Sequence, residues 1–443
     1  MKKSIKEFAD KFLELSKNKP IRIISHHDTD GITSAAILAK TFKRINKPFS
    51  IKIVKGLDEE IIKKELKRIN KEILLFSDLG SGSLNYFQDL KQDIFILDHH
   101  EINKENLNQY INIINPHLYE EENICGAGLC YFFSKQLCEE HQDLARLAII
   151  GMVGDRHDSV SKHYKEILDE TPELTIKKSL LIYPATRPLR KALEYSTSPY
   201  IPGVTGSQKG TLTFLRENNI PSNKSLQELT DEEVSTLITG IMLKRANQEK
   251  KEDIIGHLYL LKFFNTKEDA RELSVLINAC SRLGYSDIAL SFCLENEKAK
   301  SIAQDIYTKY KQQLVSALNT IERIEKIKGN GFVIMNAEDK VQDTIIGTVT
   351  SILSSSLNYE EGTVLIGMAY NKDKIKVSAR IAGREGRNLK EILERTIIQF
   401  RENGGSAEVG GHEKAAGCLI EKNKEQEFIQ TLKQNLEIEV MKV

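Results

Sequence analysis

The chain has 443 residues, more than one ordinary hydrophobic core accommodates, so two or three domains are expected. Its 63 basic and 63 acidic side chains cancel, which excludes a molecule-wide field that attracts polyanions and confines any nucleic-acid site to a local basic patch. No apolar run reaches the length of a membrane span, and Ile5, Phe8, Phe12 and Leu13 behind Met1, Lys2 and Lys3 read as an amphipathic helix rather than a signal peptide, so a cytoplasmic protein with no membrane partner is expected.

In chain order, Ile21 to Ser25, Ser50 to Val54, Glu72 to Ser77, Asp93 to Leu97 and Ile111 to Ile114 are short apolar runs of strand length. Between them Ile32 to Ile45 and Leu57 to Ile69 carry apolar residues three and four apart, as amphipathic helices do. Alternating strands and helices predict a doubly wound parallel-sheet α/β domain over residues 1–160. Residues 161–328 read as a helical extension, broken by a Pro, Gly, Ser and Thr-rich loop from Tyr195 to Gly210. The extension ends in a connector helix whose apolar spacing from Ile302 to Ile327 stops at Gly329, Asn330 and Gly331. Phe332 to Met335, Thr363 to Ala369, Lys374 to Ala379 and Gly417 to Ile420, with helices at Thr344 to Leu357 and Leu389 to Asn403, predict a smaller α/β domain over 329–443, with a cleft between the two α/β domains. Cys125, Cys130, Cys138, Cys280, Cys293 and Cys418 include no CxxC pair and no histidine at zinc-ligand spacing, so reduced, mostly buried thiols are expected.

Chemistry concentrates where the first-domain strands end. The first runs into His26-His27-Asp28-Thr29-Asp30-Gly31, the third into Asp78-Leu79-Gly80 and the fourth into Asp98-His99-His100, while the helix Leu144 to Val153 delivers Asp155 in Gly154-Asp155-Arg156-His157-Asp158. In an open parallel sheet the carboxyl ends of the strands share one edge, where ligands bind, so these side chains should converge. A single aspartate after a strand is most often a helix cap. Several acids and imidazoles on three strand ends are different, because leaving them buried without a cation would cost several kcal/mol. Oxygen ligands mixed with imidazole suit manganese, magnesium or zinc, and two divalent ions about 3.5–4 Å apart clamp a phosphodiester and activate water.

These residues resemble the motifs of the DHH phosphoesterases: His26-x-Asp28-x-Asp30-Gly31, Asp78, Asp98-His99-His100 and Asp155 in that order. Lys376-Val377-Ser378-Ala379-Arg380 and Gly410-Gly411-His412-Glu413-Lys414-Ala415-Ala416-Gly417 resemble the partner domain called DHHA1. Leu276 to Gly284, which contains Asn278-Ala279-Cys280-Ser281-Arg282, and Ala192 to Thr197 resemble archaeal RecJ-like exonucleases. The resemblance implies two divalent ions, manganese foremost with magnesium or zinc as alternatives, one held by His26, Asp28 and Asp78 and the other by Asp30, Asp78, His99 and Asp155. The histidine stands two residues before Asp28, where related pyrophosphatases place it four before, which leaves His27 as the alternative to His26. By the same likeness Asp98 orients a histidine and His100 faces the scissile phosphate. Ser378, Arg380, Gly410, Gly411, His412 and Arg282 are the expected substrate contacts. The glycine pair also fits a plain turn, and the cluster Arg380, Arg384, Arg387 and Lys390 also fits a solvated face.

The implied activity is metal-dependent hydrolysis of single-stranded DNA, RNA or both, as an exonuclease in replication or repair, with a replisome (GINS-like) or helicase partner alongside. A phosphodiesterase for short oligoribonucleotides or cyclic dinucleotides is the nearer alternative, against which the segment from Ser161 to Leu273 argues. A non-catalytic replisome scaffold is the second alternative, in which the metal ligands would be eroded.

Overall fold

The computed structural model describes residues 1–119, 122, 124–156, 161–182, 184–196, 199, 201–245, 254–355, 359–383, 385–402 and 404–440. The elements run α1 (Lys2–Leu15), β1 (Ile21–His26), α2 (Thr29–Arg44), β2 (Phe49–Val54), α3 (Glu59–Leu66), β3 (Ile73–Ser77), β4 (Ile94–Leu97), β5 (Ile111–Ile114), α4 (Gly126–Leu137), α5 (Ala145–Gly154) and α6 (Lys162–Glu170). They continue with β6 (Thr175–Leu180), α7 (Leu189–Glu194), α8 (Gln208–Glu217), α9 (Asp231–Lys244), β7 (Ile255–Phe263), β8 (Thr266–Asp269), α10 (Ala270–Arg282), α11 (Ser286–Cys293) and α12 (Glu297–Arg323). The last part holds β9 (Ile327–Gly329), β10 (Phe332–Asn336), α13 (Asp343–Ser354), β11 (Val364–Asn371), β12 (Lys374–Ile381), α14 (Leu389–Glu402), β13 (Glu408–His412), β14 (Ala415–Glu421) and α15 (Glu425–Val440). Two compact units form: one from Met1–Ala192, Pro221–Ser235 and Ile254–Tyr307, the other from Leu193–Ile220, Thr236–Asp253 and Thr308–Val443.

The first unit is built on a five-stranded sheet in the order β2-β1-β3-β4-β5, with every pairing parallel. Alternation along each strand feeds two cores. Ile21, Ile23, Ile73, Leu75, Phe95 and Leu97 pack with α1, α2, α4 and α5, while Ile24, Leu74, Phe76, Ile94 and Ile96 pack with Ile62 of α3 and with Leu84 and Phe87. Helices on both faces explain why Ile73 to Phe76 of β3 and Ile94 to Leu97 of β4 read as unbroken apolar runs. The order reverses direction between β1 and β3, the switch point at which doubly wound sheets bind ligands.

The second unit contains a six-stranded sheet in the order β13-β14-β12-β11-β10-β9, parallel only between β10 and β11. Val377, Ala379 and Ile381 on one face of β12 pack with Leu389, Ile392 and Phe400 of α14 and Phe428 of α15. The opposite face carries Ser378 and Arg380 toward α13, where Arg380 Nε donates to Ser351 Oγ at 2.8 Å.

Three expectations are corrected. The extension is not purely helical: β6, β7 and β8 form a three-stranded antiparallel sheet. Its β7–β8 hairpin turns through Phe264 and Asn265, both at positive φ (49° and 58°), and a phenylalanine at such a position carries no turn signal. The connector helix stops at Arg323, because Ile327–Gly329 forms a strand that pairs with β10 across Asn330 and Gly331, the latter at φ 71°. Gly410 and Gly411 lie within edge strand β13 rather than in a turn, which instead falls at Glu413 and Lys414. All six cysteines are free thiols, and five of them are buried. Among the described residues no helix is long and apolar enough to cross a membrane.

Phe12 is fully buried, with its ring 5.6 Å from that of Phe42, 5.1 Å from Phe95 and 5.3 Å from Phe133. Phe12→Ala should therefore lower the unfolding free energy of this unit by about 3–5 kcal/mol in denaturant titration.

Candidate metal centre

The strand-to-helix turn after β1 requires a glycine. A Cβ on Gly31 would stand 2.3 Å from the His26 carbonyl oxygen, so only glycine lets α2 start this close to the strand. Asp28 caps α2 by accepting the Gly31 N–H at 3.0 Å, and Asp30 follows in the first turn, fully buried. Ser77 Oγ donates to Ser25 Oγ at 2.8 Å and Ser25 Oγ to the Gly31 carbonyl at 2.7 Å, which ties the end of β3 to the turn after β1. Asp78, immediately after β3, sits at φ 57° with its N–H donating to the Leu97 carbonyl at 2.8 Å. That left-handed backbone is uncommon for a residue other than glycine and is a feature of strained functional turns.

The expected ligands meet at this edge. His26 Nδ1 lies 3.0 Å from Asp28 Oδ2 and 3.5 Å from Asp78 Oδ2. His99 Nε2 lies 3.3 Å from Asp78 Oδ1, 3.1 Å from Asp155 Oδ2 and 3.8 Å from Asp30 Oδ2. Three groups have ligand atoms all within 4.8 Å of one another: His26, Asp28 and Asp78; Asp78, His99 and His100; Asp30, His99 and Asp155. Asp78 belongs to two of them and His99 to two. His27 belongs to none, although its ring lies 4.7 Å from that of His26. His157 and Asp158 lie outside the described residues.

Asp98 plays a different part from Asp78. It accepts N–H bonds from Ser81 at 2.8 Å and His99 at 2.8 Å, and its Oδ1 lies 2.7 Å from His100 Nδ1. Burial acts to raise its pKa, but the hydrogen bonds and charges of His100, His99 and Ser81 hold it well below the ordinary carboxylate range. The same contact outweighs burial to raise His100. Asp78 has no such support: its buried oxygens meet imidazole nitrogens at 3.3 and 3.5 Å, and none of these contacts has good hydrogen-bond geometry. Burial and then the charge of Asp28 push Asp78 upward, and burial with Asp78 and Asp155 pushes Asp30 well upward. Burial works to lower His26 and His99, but the facing carboxylates win and both imidazoles are raised well above 6.5. Burial thus disfavours the ionised forms of Asp30 and Asp78, whereas Asp28, against the upward push of burial, is held well below the ordinary carboxylate range by His26; the mixed oxygen and nitrogen donors could hold a divalent transition ion or magnesium.

Features of α4 that the sequence reading missed complete the wall. The Gly126 and Ala127 N–H groups at its start donate to Asp30 Oδ2 and Oδ1 at 2.6 and 2.9 Å, a helix N-terminus holding a carboxylate. The preceding Cys125 N–H donates to the buried Tyr164 hydroxyl at 2.8 Å. The available signal was Gly126-Ala127-Gly128 opening an apolar helix. Lys55, directly after β2, was also missed. Burial first, then the positive fields of His26, Arg282 and Lys55, pull His27 down to about 4 against the opposing field of Asp28.

In the second unit the register Arg380↔Ala415↔His412 and Ser378↔Gly417↔Gly410 puts Ser378, Arg380, Gly410 and His412 on one face of three adjacent strands. Gly411 stands between them at φ 116°, where a Cβ would lie 2.3 Å from the Ala415 carbonyl oxygen. Arg387 donates to the carbonyls of Leu436 and Gly331 at 2.6 and 2.7 Å, a structural use of the guanidinium, and Arg384 lies outside the described residues.

Comparison with known proteins agrees with this layout. Residues 20–152 match the DHH family N-terminal domain, 183–258 the DHH-CID domain and 329–437 the DHHA1 domain. An uncharacterized protein of Methanocaldococcus jannaschii is 31% identical over 420 residues, covering 92% of this chain and 91% of that one. The single-stranded-DNA-specific exonuclease RecJ of Bacillus subtilis is 26% identical over 168 residues, which cover 34% of this chain and 21% of that protein. Among solved structures, CDC45 of Entamoeba histolytica superimposes with a TM-score of 0.71 at 12% identity, over 98% of this chain and 99% of that one. RecJ of Thermus thermophilus in complex with Mn2+ gives 0.60 at 17% identity, over 97% of this chain and 54% of that one. The chain belongs to the DHH family and has the RecJ-like DHH and DHHA1 organisation, that of a phosphoesterase and nuclease family.

Two outcomes follow from the packing and charge of this centre. A Cβ on Gly126 would stand 2.7 Å from Asp78 Cβ and 3.0 Å from Asp30 Oδ2, so Gly126→Ala should weaken Mn2+ binding roughly tenfold by calorimetric titration. His26 and His99, raised above 6.5, contribute stability to the metal-free protein at low pH that is lost as pH rises through their folded values, whereas a metal needs them deprotonated. Mn2+ affinity should therefore climb with pH through the range above 6.5, with proton release detected as a buffer-dependent binding enthalpy.

Proposed function

We propose that this member of the DHH family is a metal-dependent phosphodiesterase that degrades single-stranded nucleic acid as an exonuclease. The observation that carries the reading is Asp78, a buried carboxylate shared by two ligand groups and lacking good hydrogen-bond donors of its own. His26, Asp28 and Asp78 would hold one divalent ion, and Asp30, Asp78, His99 and Asp155 a second. Manganese is the first choice, supported by the manganese-bound RecJ of similar fold, with magnesium or zinc as alternatives.

Such a pair, when bound, polarises the phosphoryl oxygen and lowers the pKa of a water to give the nucleophile. The chain's own residues do the rest. Asp98 holds the His100 ring through Nδ1 and favours its protonated form, so the ring offers Nε2 as a proton donor to the departing oxygen. Arg282 and Lys55 in the first unit, and Ser378, Arg380 and His412 over the glycine strip of the second, supply phosphate contacts that are indifferent to base identity. The resemblance to an exonuclease specific for single-stranded DNA supports a polymeric substrate. A non-catalytic scaffold is the second reading, favoured by the end-to-end likeness to CDC45.

The test is hydrolysis with Mn2+ of single-stranded DNA and RNA labelled at either end, offered as a dinucleotide, a pentamer and a strand of about twenty nucleotides at two salt concentrations. Wild-type protein should favour the long strand and lose affinity steeply with salt, a chelator should stop the reaction, and Asp78→Ala should abolish it while leaving the fold intact. Preference for the dinucleotide would replace the polymer reading with a small-substrate phosphodiesterase. No metal-dependent cleavage by the wild type would favour the scaffold.

A further inference from the structure

Thr29 is the residue between Asp28 and Asp30, and its backbone angles set how far apart those two carboxylates stand. It is gripped by a helix of the same unit that is distant in sequence. Its N–H occupies the first position of α2, where the helix offers no acceptor, and donates to Asn278 Oδ1 at 3.1 Å. Its hydroxyl donates to the Ser274 carbonyl at 2.8 Å. A Cβ on Gly154 would lie 2.8 Å from Thr29 Cβ, so α5 closes on the same residue. Ser274 and Asn278 stand one turn apart on α10, and Asn278 is 249 residues from Thr29 in sequence. Arg282, one turn further on, carries the guanidinium whose field reaches His27.

We infer that Asn278 is a positioning residue of the metal centre, pinning the backbone between Asp28 and Asp30 through the Thr29 N–H. The inference rests on the metal-site reading above. Its physical basis is that ionising Asp28 and Asp30 together, as ligation of a cation requires, sets up repulsion across this turn. A hydrogen bond from a separate helix keeps the turn in the ligand-ready form, so that less reorganisation accompanies binding. The residue type suits the task. The partner is an N–H, so the amide must present its oxygen, and a neutral acceptor holds the turn without adding a further negative charge beside Asp28.

The experiment is Mn2+ titration of the full chain by calorimetry, with circular dichroism and metal-free melting curves alongside. Asn278→Ala should bind Mn2+ roughly tenfold more weakly with unchanged secondary structure, and Asn278→Asp, which keeps an oxygen opposite the Thr29 N–H, should retain at least wild-type affinity. Wild-type affinity in Asn278→Ala, or equal losses in Asn278→Ala and Asn278→Asp, would overturn the inference. Should Asn278→Ala not fold, Asn278→Leu keeps the side-chain volume but offers the Thr29 N–H no acceptor and should weaken Mn2+ in the same direction; unchanged affinity there likewise overturns it. Absence of Mn2+ binding by the wild type would instead remove the metal-site reading itself, whereas tight wild-type binding with an indifferent Asn278→Ala would remove this inference alone.

Discussion

Asp30, Asp78 and Asp98 are all at most 1% exposed at one edge of one sheet, and Asp28 and Asp78 bring carboxylate oxygens within 4.8 Å of each other. Two unit charges about 4 Å apart repel by about 4 kcal/mol at an effective dielectric of 20, a large fraction of the stability of a domain. Much of the surrounding structure answers that repulsion. The α4 N-terminus faces Asp30, the α2 N-terminus is capped by Asp28, and imidazoles stand opposite the remaining oxygens. The strained Asp78 backbone and the close approach of Gly126 persist because the strands and helices behind them are packed on both faces.

Asp98 and Asp78, equally buried, are supported in different ways. Asp98 accepts N–H bonds from Ser81 and His99 and engages His100, and it is held ionised by protein alone. Asp78 is equally buried, meets the His26 and His99 nitrogens at 3.5 and 3.3 Å, and its ionised form is disfavoured by burial and the charge of Asp28. A cation would relieve Asp78 and add nothing that Asp98 lacks. The Asp98-His99-His100 run therefore divides its labour: the first residue fixes the third, and the second reaches across to Asp78 and Asp155.

The parts of this arrangement that were legible in sequence are those where burial on both faces leaves little choice of residue. The five strands of the first sheet are short runs rich in apolar residues, observed within one residue of expectation at either end, and the acids and histidines directly after β1, β3 and β4 stand out against that background. Elements whose register is set by tertiary partners were less legible. The mostly exposed strand Thr175–Leu180 lacks an apolar stripe, the turn at Phe264 and Asn265 lacks the usual residues, and Gly410 and Gly411 disguise an edge strand. The hold of Asn278 on Thr29 and of Tyr164 on Cys125 depends on contacts between residues far apart in the chain, which no local pattern displays. Of the two neighbouring histidines, His26, the expected one, has its ring against Asp28 and Asp78.

Architecture does not by itself decide what such a chain does. At 12% and 17% identity the same fold is found in CDC45 and in RecJ, so overall superposition cannot discriminate between them. The cost of the acid and histidine cluster is a separate physical consideration. A protein that only needed the fold as a scaffold would be more stable with apolar or hydrogen-bonded residues at positions 30, 78 and 99, where carboxylates and an imidazole are buried against one another. Their presence, together with the left-handed backbone at Asp78 and glycines at 31 and 126 that make room for them, costs stability that a bound cation would offset.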